Sequence, residues 1–178
     1  VAMDSKKEYR KRINATKKRN VLQRQFNVTE PNRAWVSDVT CFKIKDKYYY
    51  ICAIIDLFSR KIVAYKISER NSTYLITSTF KMAFDIRNHP QQLIFHSDQG
   101  VQHKSKSFRK LLLANNVVQS FSKSGSPHDN AVAESFFSSM KKEELYRYNY
   151  RSKKEFRNSV DNYIVRYNTK RPHSTLAQ

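Results

Sequence analysis

The run Tyr48-Tyr49-Tyr50-Ile51-Cys52-Ala53-Ile54-Ile55 constrains this chain more than any other stretch. It is an unbroken series of aromatic, β-branched and other apolar residues bounded by turn signals, and such a series reads as a buried strand. A first strand is predicted over residues 34–44, with Trp35, Val39 and Cys41 at apolar positions, and Lys45-Asp46-Lys47 is the polar turn between the two. Asp56-Leu57-Phe58-Ser59-Arg60 breaks the buried run, and residues 61–67 supply a third strand. Three strands with short turns make an antiparallel meander.

Helices and strands then alternate. Asn71-Ser72-Thr73 caps a helix reaching about residue 88, with Leu75, Ile76, Thr79, Phe80, Ala83 and Phe84 at helical spacing, and His89-Pro90 stops it. Leu93-Ile94-Phe95 is a short apolar run that ends at His96-Ser97-Asp98, and a buried strand after a helix points to a parallel crossover. A helix over 105–115, a strand over 117–121, a loop over 122–128, a helix capped by Asp129 or Asn130 and a last helix over 152–167 complete the order. The predicted class is α/β: a mixed five-stranded sheet, its first three strands antiparallel, flanked by helices.

Charge narrows the partners. Lysine and arginine outnumber the acids 34 to 15, a net +19, so a polyanion is the expected partner. The basic residues are dense in residues 1–30, which read as an N-terminal arm or linker that could also lie along phosphates; Glu30-Pro31-Asn32 marks the break before a core over 31–178. The two cysteines, Cys41 and Cys52, form no zinc-type quartet and are expected to be buried free thiols in a reducing compartment. No apolar run is long enough for a membrane span or a signal peptide.

Three acids carry the expected chemistry. Asp38 falls within the first strand, Asp98 falls just past the fourth, and Glu134 lies one turn into the third helix. If the first and fourth strands are neighbours, Asp38 and Asp98 come together where α/β sheets place ligands. Close carboxylates repel one another unless a cation sits between them, and hard oxygen donors select Mg²⁺ or Mn²⁺ over zinc. Two such ions suit phosphoryl transfer without a covalent enzyme intermediate.

The motifs Trp35-Val36-Ser37-Asp38-Val39-Thr40, Ile55-Asp56-Leu57-Phe58-Ser59-Arg60, His96-Ser97-Asp98-Gln99-Gly100-Val101-Gln102, Ser124-Gly125-Ser126-Pro127-His128-Asp129-Asn130-Ala131, Glu134-Ser135-Phe136-Phe137 and Arg171-Pro172-His173 follow one another in this order, with thirty-five residues between Asp98 and Glu134. Together they resemble the catalytic core of insertion-sequence transposases related to retroviral integrases, the DDE group (OrfB-type) with a ribonuclease-H-like fold. The resemblance implies Asp38, Asp98 and Glu134 as a metal-binding catalytic triad holding two Mg²⁺ or Mn²⁺. It implies DNA cleavage that frees a 3′-OH and direct strand transfer by that 3′-OH. It further implies element ends and target DNA as partners, a homo-oligomer assembled on DNA, and a bacterial, cytoplasmic, nucleoid-associated setting. The alternatives are a ribonuclease-H-like nuclease without strand transfer and a non-catalytic DNA-binding protein. His103 stands where this group commonly has Tyr, and Ala64 where Gly is common. Relatives commonly continue past the Arg-Pro-His motif, so an isolated core or a truncated chain is expected.

Around the acids, Lys141 shares the Glu134 helix face at i+7, and Lys142 adjoins it. These two, with Lys104, Lys106 and Lys123, are DNA-contact candidates. Arg171 and His173 either contact DNA or tie the last helix to the core. His96 either orients Asp98 or simply packs. Gly100 either permits a close approach or serves an ordinary turn. Asn130 is expected to cap the helix rather than act in catalysis. The Tyr48-Tyr49-Tyr50 run reads as strand packing rather than base stacking, and Asp56 as a turn network rather than a fourth metal ligand.

Overall fold

The computed structural model describes residues 19–170; Arg171 and His173 lie outside them. A sheet of five strands forms the centre, in the order β3-β2-β1-β4-β5. β1 (Ala34–Ile44), β2 (Lys47–Asp56) and β3 (Ile62–Ser68) pair antiparallel. β4 (Ile94–Ser97) runs parallel to β1 on its other side, and β5 (Val118–Phe121) runs parallel to β4. This is the mixed sheet of a ribonuclease-H-like fold, with the expected antiparallel meander and parallel crossover.

The buried run on β2 is continuous because both faces of the sheet are covered. Ile51, Ala53 and Ile55 face one layer, made by α3 (Ala131–Glu143) and α4 (Lys153–Lys170). Cys52 and Ile54 face the other, made by α1 (Thr73–Ile86) and α2 (Lys106–Ala114). On β1 the same alternation sends Ala34 and Val36 toward α3 and α4 and Trp35 toward α1 and α2. Phe136, Phe137 and Met140 of α3 meet Phe156, Val160 and Tyr163 of α4 in the first layer. Phe80 of α1 packs edge-on against Phe95 and Phe108 in the second.

Side-chain caps start the helices where the sequence places them. Ser72 Oγ accepts from Leu75 N (3.2 Å), and Ser105 Oγ accepts from Phe108 N (3.3 Å). α3 differs. A 3₁₀ turn, Pro127–Asn130, leads into it, and Asn130 occupies the cap position without a capping side-chain bond. The helix also ends at Glu143, and a second short 3₁₀ turn, Leu145–Arg147, follows.

One expected thiol is not buried. Cys52 is enclosed, but Cys41 is exposed. β4 is four residues long and pairs only with the first residues of β1, so from Asp38 onward β1 is hydrogen-bonded on the β2 side alone. Cys41 stands on that open half. Of the three tyrosines opening β2, Tyr49 is buried against Phe156, Tyr50 is half-buried and Tyr48 is exposed, a packing pattern that fits a strand.

Residues 19–28 lie against the core. Leu22 is buried, Phe26 and Val28 pack beside it, and the Phe26 carbonyl accepts from Arg60 Nη2 (2.9 Å). Asp56 is fully buried and holds its own turn, accepting from Phe58 N and Ser59 Oγ. Among the described residues no helix is long and apolar enough to cross a membrane.

Candidate active site

The last paired residues of β1 and β4 are Ser37 and Ser97. Asp38 and Asp98 follow them directly on neighbouring parallel strands. Asp38 has the parity of Ala34 and Val36, so it points to the α3 side of the sheet. His96 pairs with Val36, and the same alternation carried past β4 gives Asp98 the same side. Glu134 stands in the first turn of α3, which packs on that face. A shallow depression of about 370 Å³ lies between Asp98, Glu134, Asn130, Ser122 and the loop from Lys123 to Ser126.

The other two acids act on Asp38. Burial pushes the Asp38 carboxyl up to about 6; the Val39 N–H opposes this at 2.8 Å, while Asp98 and Glu134 push it further up. Asp98 is exposed and held below the usual carboxylate range, chiefly by the ring of His103, whose Nδ1 is 3.1 Å from Oδ1. Gly100 N also donates to Oδ1 at 3.1 Å, and Lys104 favours the ionised form. Glu134 is exposed.

Among the described residues no three acidic, histidine or cysteine groups converge tightly enough to form a ready metal cluster. The donors nonetheless fit a hard divalent cation. All are carboxylate oxygens, and the penalty that burial and two like charges place on ionised Asp38 is one that a dication would relieve.

Neighbouring side chains hold this arrangement. Asn130 Nδ2 donates to the Ser37 carbonyl (3.2 Å), tying the start of α3 to the strand that carries Asp38. Its Oδ1 is buried without a hydrogen-bond partner. His96 is fully buried, with Nδ1 2.8 Å from Ser120 Oγ and Nε2 3.1 Å from Ser122 Oγ. Burial lowers its pKa to about 4. The folded protein therefore keeps His96 neutral at pH values where the unfolded chain protonates it. Its contribution to stability is complete above pH 6.5 and is lost as pH falls toward 4, by about 3 kcal/mol. Urea unfolding of wild type and His96→Gln is expected to show a stability gap that narrows by that amount between pH 7 and pH 4. A constant gap would contradict a buried neutral imidazole.

Gly100 meets a close approach. A Cβ built there would lie 3.0 Å from Asp98 Oδ1 and 3.4 Å from Oδ2. Gly100→Ala is therefore expected to leave the melting temperature nearly unchanged, because the carboxylate can swing away. It is also expected to lower metal-dependent turnover about a hundredfold, because Asp98 is displaced by a fraction of an ångström to an ångström. Thermal melts and nicking rates of the one variant check both halves.

The candidate lysines do not form one group. Lys104 sits near Asp98, and Lys123 lines the depression. Lys106 is exposed at the start of α2, and Lys141 and Lys142 stand in the last turn of α3, roughly 10 Å along the helix from Glu134. Two partners escape sequence reasoning. His103 is buried between Phe95 and Phe108 and reaches Asp98; the only signal for it is its place after the Gly-x-Gln step. Asp129 accepts from Lys123 N (2.8 Å), Asn20 Nδ2 (3.1 Å) and Arg24 Nε (2.6 Å), and no local pattern marks the last two contacts.

Two aspartates directly after neighbouring parallel strands and a glutamate on the covering helix thus give this face of the mixed sheet three carboxylates. The family models described as integrase core domain match residues 28–127 and 115–178, and the chain belongs to this family. It is 36% identical over 152 residues to InsK of insertion sequence element IS150 from Escherichia coli K12, covering 85% of this chain and 54% of that protein. It is 35% identical over 172 residues to the transposase for insertion sequence element IS904 of Lactococcus lactis, covering 96% and 68%. The transposase InsF for insertion sequence IS3A of Escherichia coli K12 is 34% identical over 156 residues, covering 87% and 54%. The chain thus spans about half the length of the two E. coli relatives. In fold it is similar to a chain of the simian T-cell lymphotropic virus intasome complex (TM-score 0.71, 19% identity, 83% of this chain and 52% of that one). It is also similar to the HTLV-2 integrase catalytic core domain solved with magnesium (TM-score 0.64, 19% identity, 82% and 92%).

Proposed function

We propose that this chain is the catalytic core of a DDE transposase that cuts DNA with divalent metal and joins the freed 3′-OH to a target strand. What supports the reading is that Asp38 and Asp98 directly follow the last paired residues of β1 and β4, with Glu134 in the first turn of α3 over the same face. Asp38, Asp98 and Glu134 would hold two Mg²⁺ or Mn²⁺. The chemistry they would supply there is activation of an attacking oxygen and stabilisation of a leaving oxygen in phosphoryl transfer. His103 and the Gly100 N–H fix the Asp98 carboxylate from behind, and Asn130 anchors the helix that presents Glu134. Lys104 and Lys123 offer cations to flanking phosphates. In cleavage, water attacks the phosphorus, the bond to the 3′ oxygen breaks, and that oxygen leaves as a 3′-OH. In transfer, the 3′-OH attacks the phosphorus of a target phosphodiester, the bond from that phosphorus to the target's own 3′ oxygen breaks, and that oxygen leaves as a new 3′-OH, with no covalent bond to the protein. The relatives named as transposases favour this over a plain nuclease, and DNA, a homo-oligomer on DNA and a bacterial setting follow from it.

The test uses the chain with Mn²⁺, a labelled DNA end carrying a free 3′-OH, and a supercoiled target. The expected products are metal-dependent nicks ending in 3′-OH and labelled strand joined to the target. Nicks without joined product would place the chain among nucleases. Salt-sensitive binding without nicks would make it a non-catalytic DNA-binding protein.

A further inference from the structure

The basic segment before the core is tied to the supports of two of the three acids. Arg19 O accepts from Phe121 N (3.0 Å), which docks the segment on β5. Val21 N and Leu22 N both donate to Ser120 Oγ, at 2.9 and 3.0 Å, and Leu22 is buried. The same Ser120 Oγ lies 2.8 Å from Nδ1 of His96, two residues before Asp98. Gln23 and Arg24 then turn with φ of 49° and 59°. Residues other than glycine hold that left-handed conformation where surrounding contacts over-determine it. The turn carries the guanidinium of Arg24 onto the buried Asp129, whose carboxylate takes Arg24 Nε, Asn20 Nδ2 and Lys123 N. Asp129 belongs to the 3₁₀ turn that begins α3, and its neighbour Asn130 is bonded to the Ser37 carbonyl beside Asp38. The turn that sets the start of the Glu134 helix is therefore held at two adjacent residues, from the basic segment at Asp129 and from β1 at Asn130.

We infer that residues 20–24 are a strap that positions Glu134, with Arg24 and Asp129 as positioning residues that act through the 3₁₀ turn rather than by touching substrate. The proposal rests on the metal-dependent reading of the three acids for its kinetic arm, but not for its structural arm. It makes the basic segment more than a phosphate contact. A load on the N-terminal side of the chain, such as DNA bound there, is transmitted to the Glu134 helix through Asp129, by its ion pair with Arg24 and its hydrogen bond from Asn20.

The test compares the full chain with Arg24→Ala, Arg24→Lys, Asp129→Asn, the Arg24→Ala/Asp129→Asn double variant, and Arg19→Ala. The last removes a cation from the wall of the same basic pocket while keeping the backbone bond to Phe121. Three quantities are read: amide hydrogen exchange across residues 126–134, the Mn²⁺ concentration for half-maximal nicking, and kcat against KM for DNA. Arg24→Ala is expected to speed exchange across residues 126–134 about tenfold while leaving β1 and β2 amides unchanged. It should raise the Mn²⁺ requirement about tenfold and lower kcat with KM for DNA nearly unchanged. Arg24→Lys should restore part of each effect. The double variant should be no worse than the worse single, because Arg24 acts through Asp129. Arg19→Ala should leave exchange and the Mn²⁺ requirement alone. Equal losses in Arg19→Ala and Arg24→Ala, carried by KM and without altered exchange, would overturn the strap and leave a phosphate contact. Unfolding of Asp129→Asn alone would not decide the matter, since Arg24→Ala exchange still does. If wild type does not nick DNA at all, the functional reading fails, and unchanged exchange in Arg24→Ala remains the result that rejects the strap.

Discussion

Replacing Asp98 with Asn, or Glu134 with Gln, is expected to lower Mn²⁺-dependent nicking by about a thousandfold, the rate equivalent of roughly 4 kcal/mol of lost transition-state stabilisation. Folding should survive both changes. Asn keeps an oxygen to accept from Gly100 N and His103 Nδ1, the two donors that hold Asp98. Glu134 is exposed in the first turn of α3, where a substitution away from packing changes stability by about 0.5 kcal/mol or less. DNA binding and its salt dependence should also survive, because a chain of net charge +19 draws phosphates through its lysines and arginines. Loss of activity with intact melting and intact salt-sensitive binding separates a metal-binding role from a structural one. Variants that nick at the wild-type rate would remove these acids from the reaction.

Asp38→Asn is expected to abolish activity and to stabilise the metal-free protein. Burial, Asp98 and Glu134 raise the Asp38 carboxyl from 3.8 to about 6 in the folded state. Between those values the unfolded chain has released a proton that the folded chain retains. The favourable contribution is therefore fully present below pH 3.8 and is lost as pH rises through 6. At pH 7.5 the metal-free fold carries a penalty of about 3 kcal/mol from this one group. Asn keeps an oxygen to accept the Val39 N–H and carries no charge, so the variant should exceed wild type in stability at pH 7.5 and match it near pH 4. Added Mn²⁺ should raise the wild-type melting temperature at pH 7.5, do little at pH 5 where Asp38 is protonated, and not shift the variant. Denaturant unfolding with and without Mn²⁺ at the two pH values measures all four corners. A variant less stable than wild type at pH 7.5 would mean that Asp38 is a structural acid.

The fold was legible where local pattern and burial agree. The β2 run is apolar throughout because helices cover both faces, and β1 spans Ala34–Ile44 as its apolar positions and flanking turn indicate. Asp38 comes beside Asp98 because β4 joins the sheet next to β1; the apolar run Leu93-Ile94-Phe95 after a helix announces a parallel crossover but not which strand it joins. Cys41 was misread because strand pattern cannot tell that β4 stops after four residues and leaves the outer half of β1 open. Asn130 sits at the cap position, yet its side chain turns to Ser37, a partner 93 residues away that no helix signal encodes. His103 bonds Asp98 across a turn that its own sequence hardly marks. Arg24 meets Asp129 across 105 residues. These contacts depend on how separate elements dock, and composition showed only that residues 1–30 are basic.

Whether Asp38, Asp98 and Glu134 hold divalent metal together is decided in crystals of the chain soaked in Mn²⁺ at pH 7.5 and measured at the manganese absorption edge. The expected result is anomalous density bound by carboxylate oxygens of Asp38 and Asp98, with Glu134 drawn in beside them. The same crystals without such density at saturating Mn²⁺, from protein that nicks DNA in solution, would contradict it.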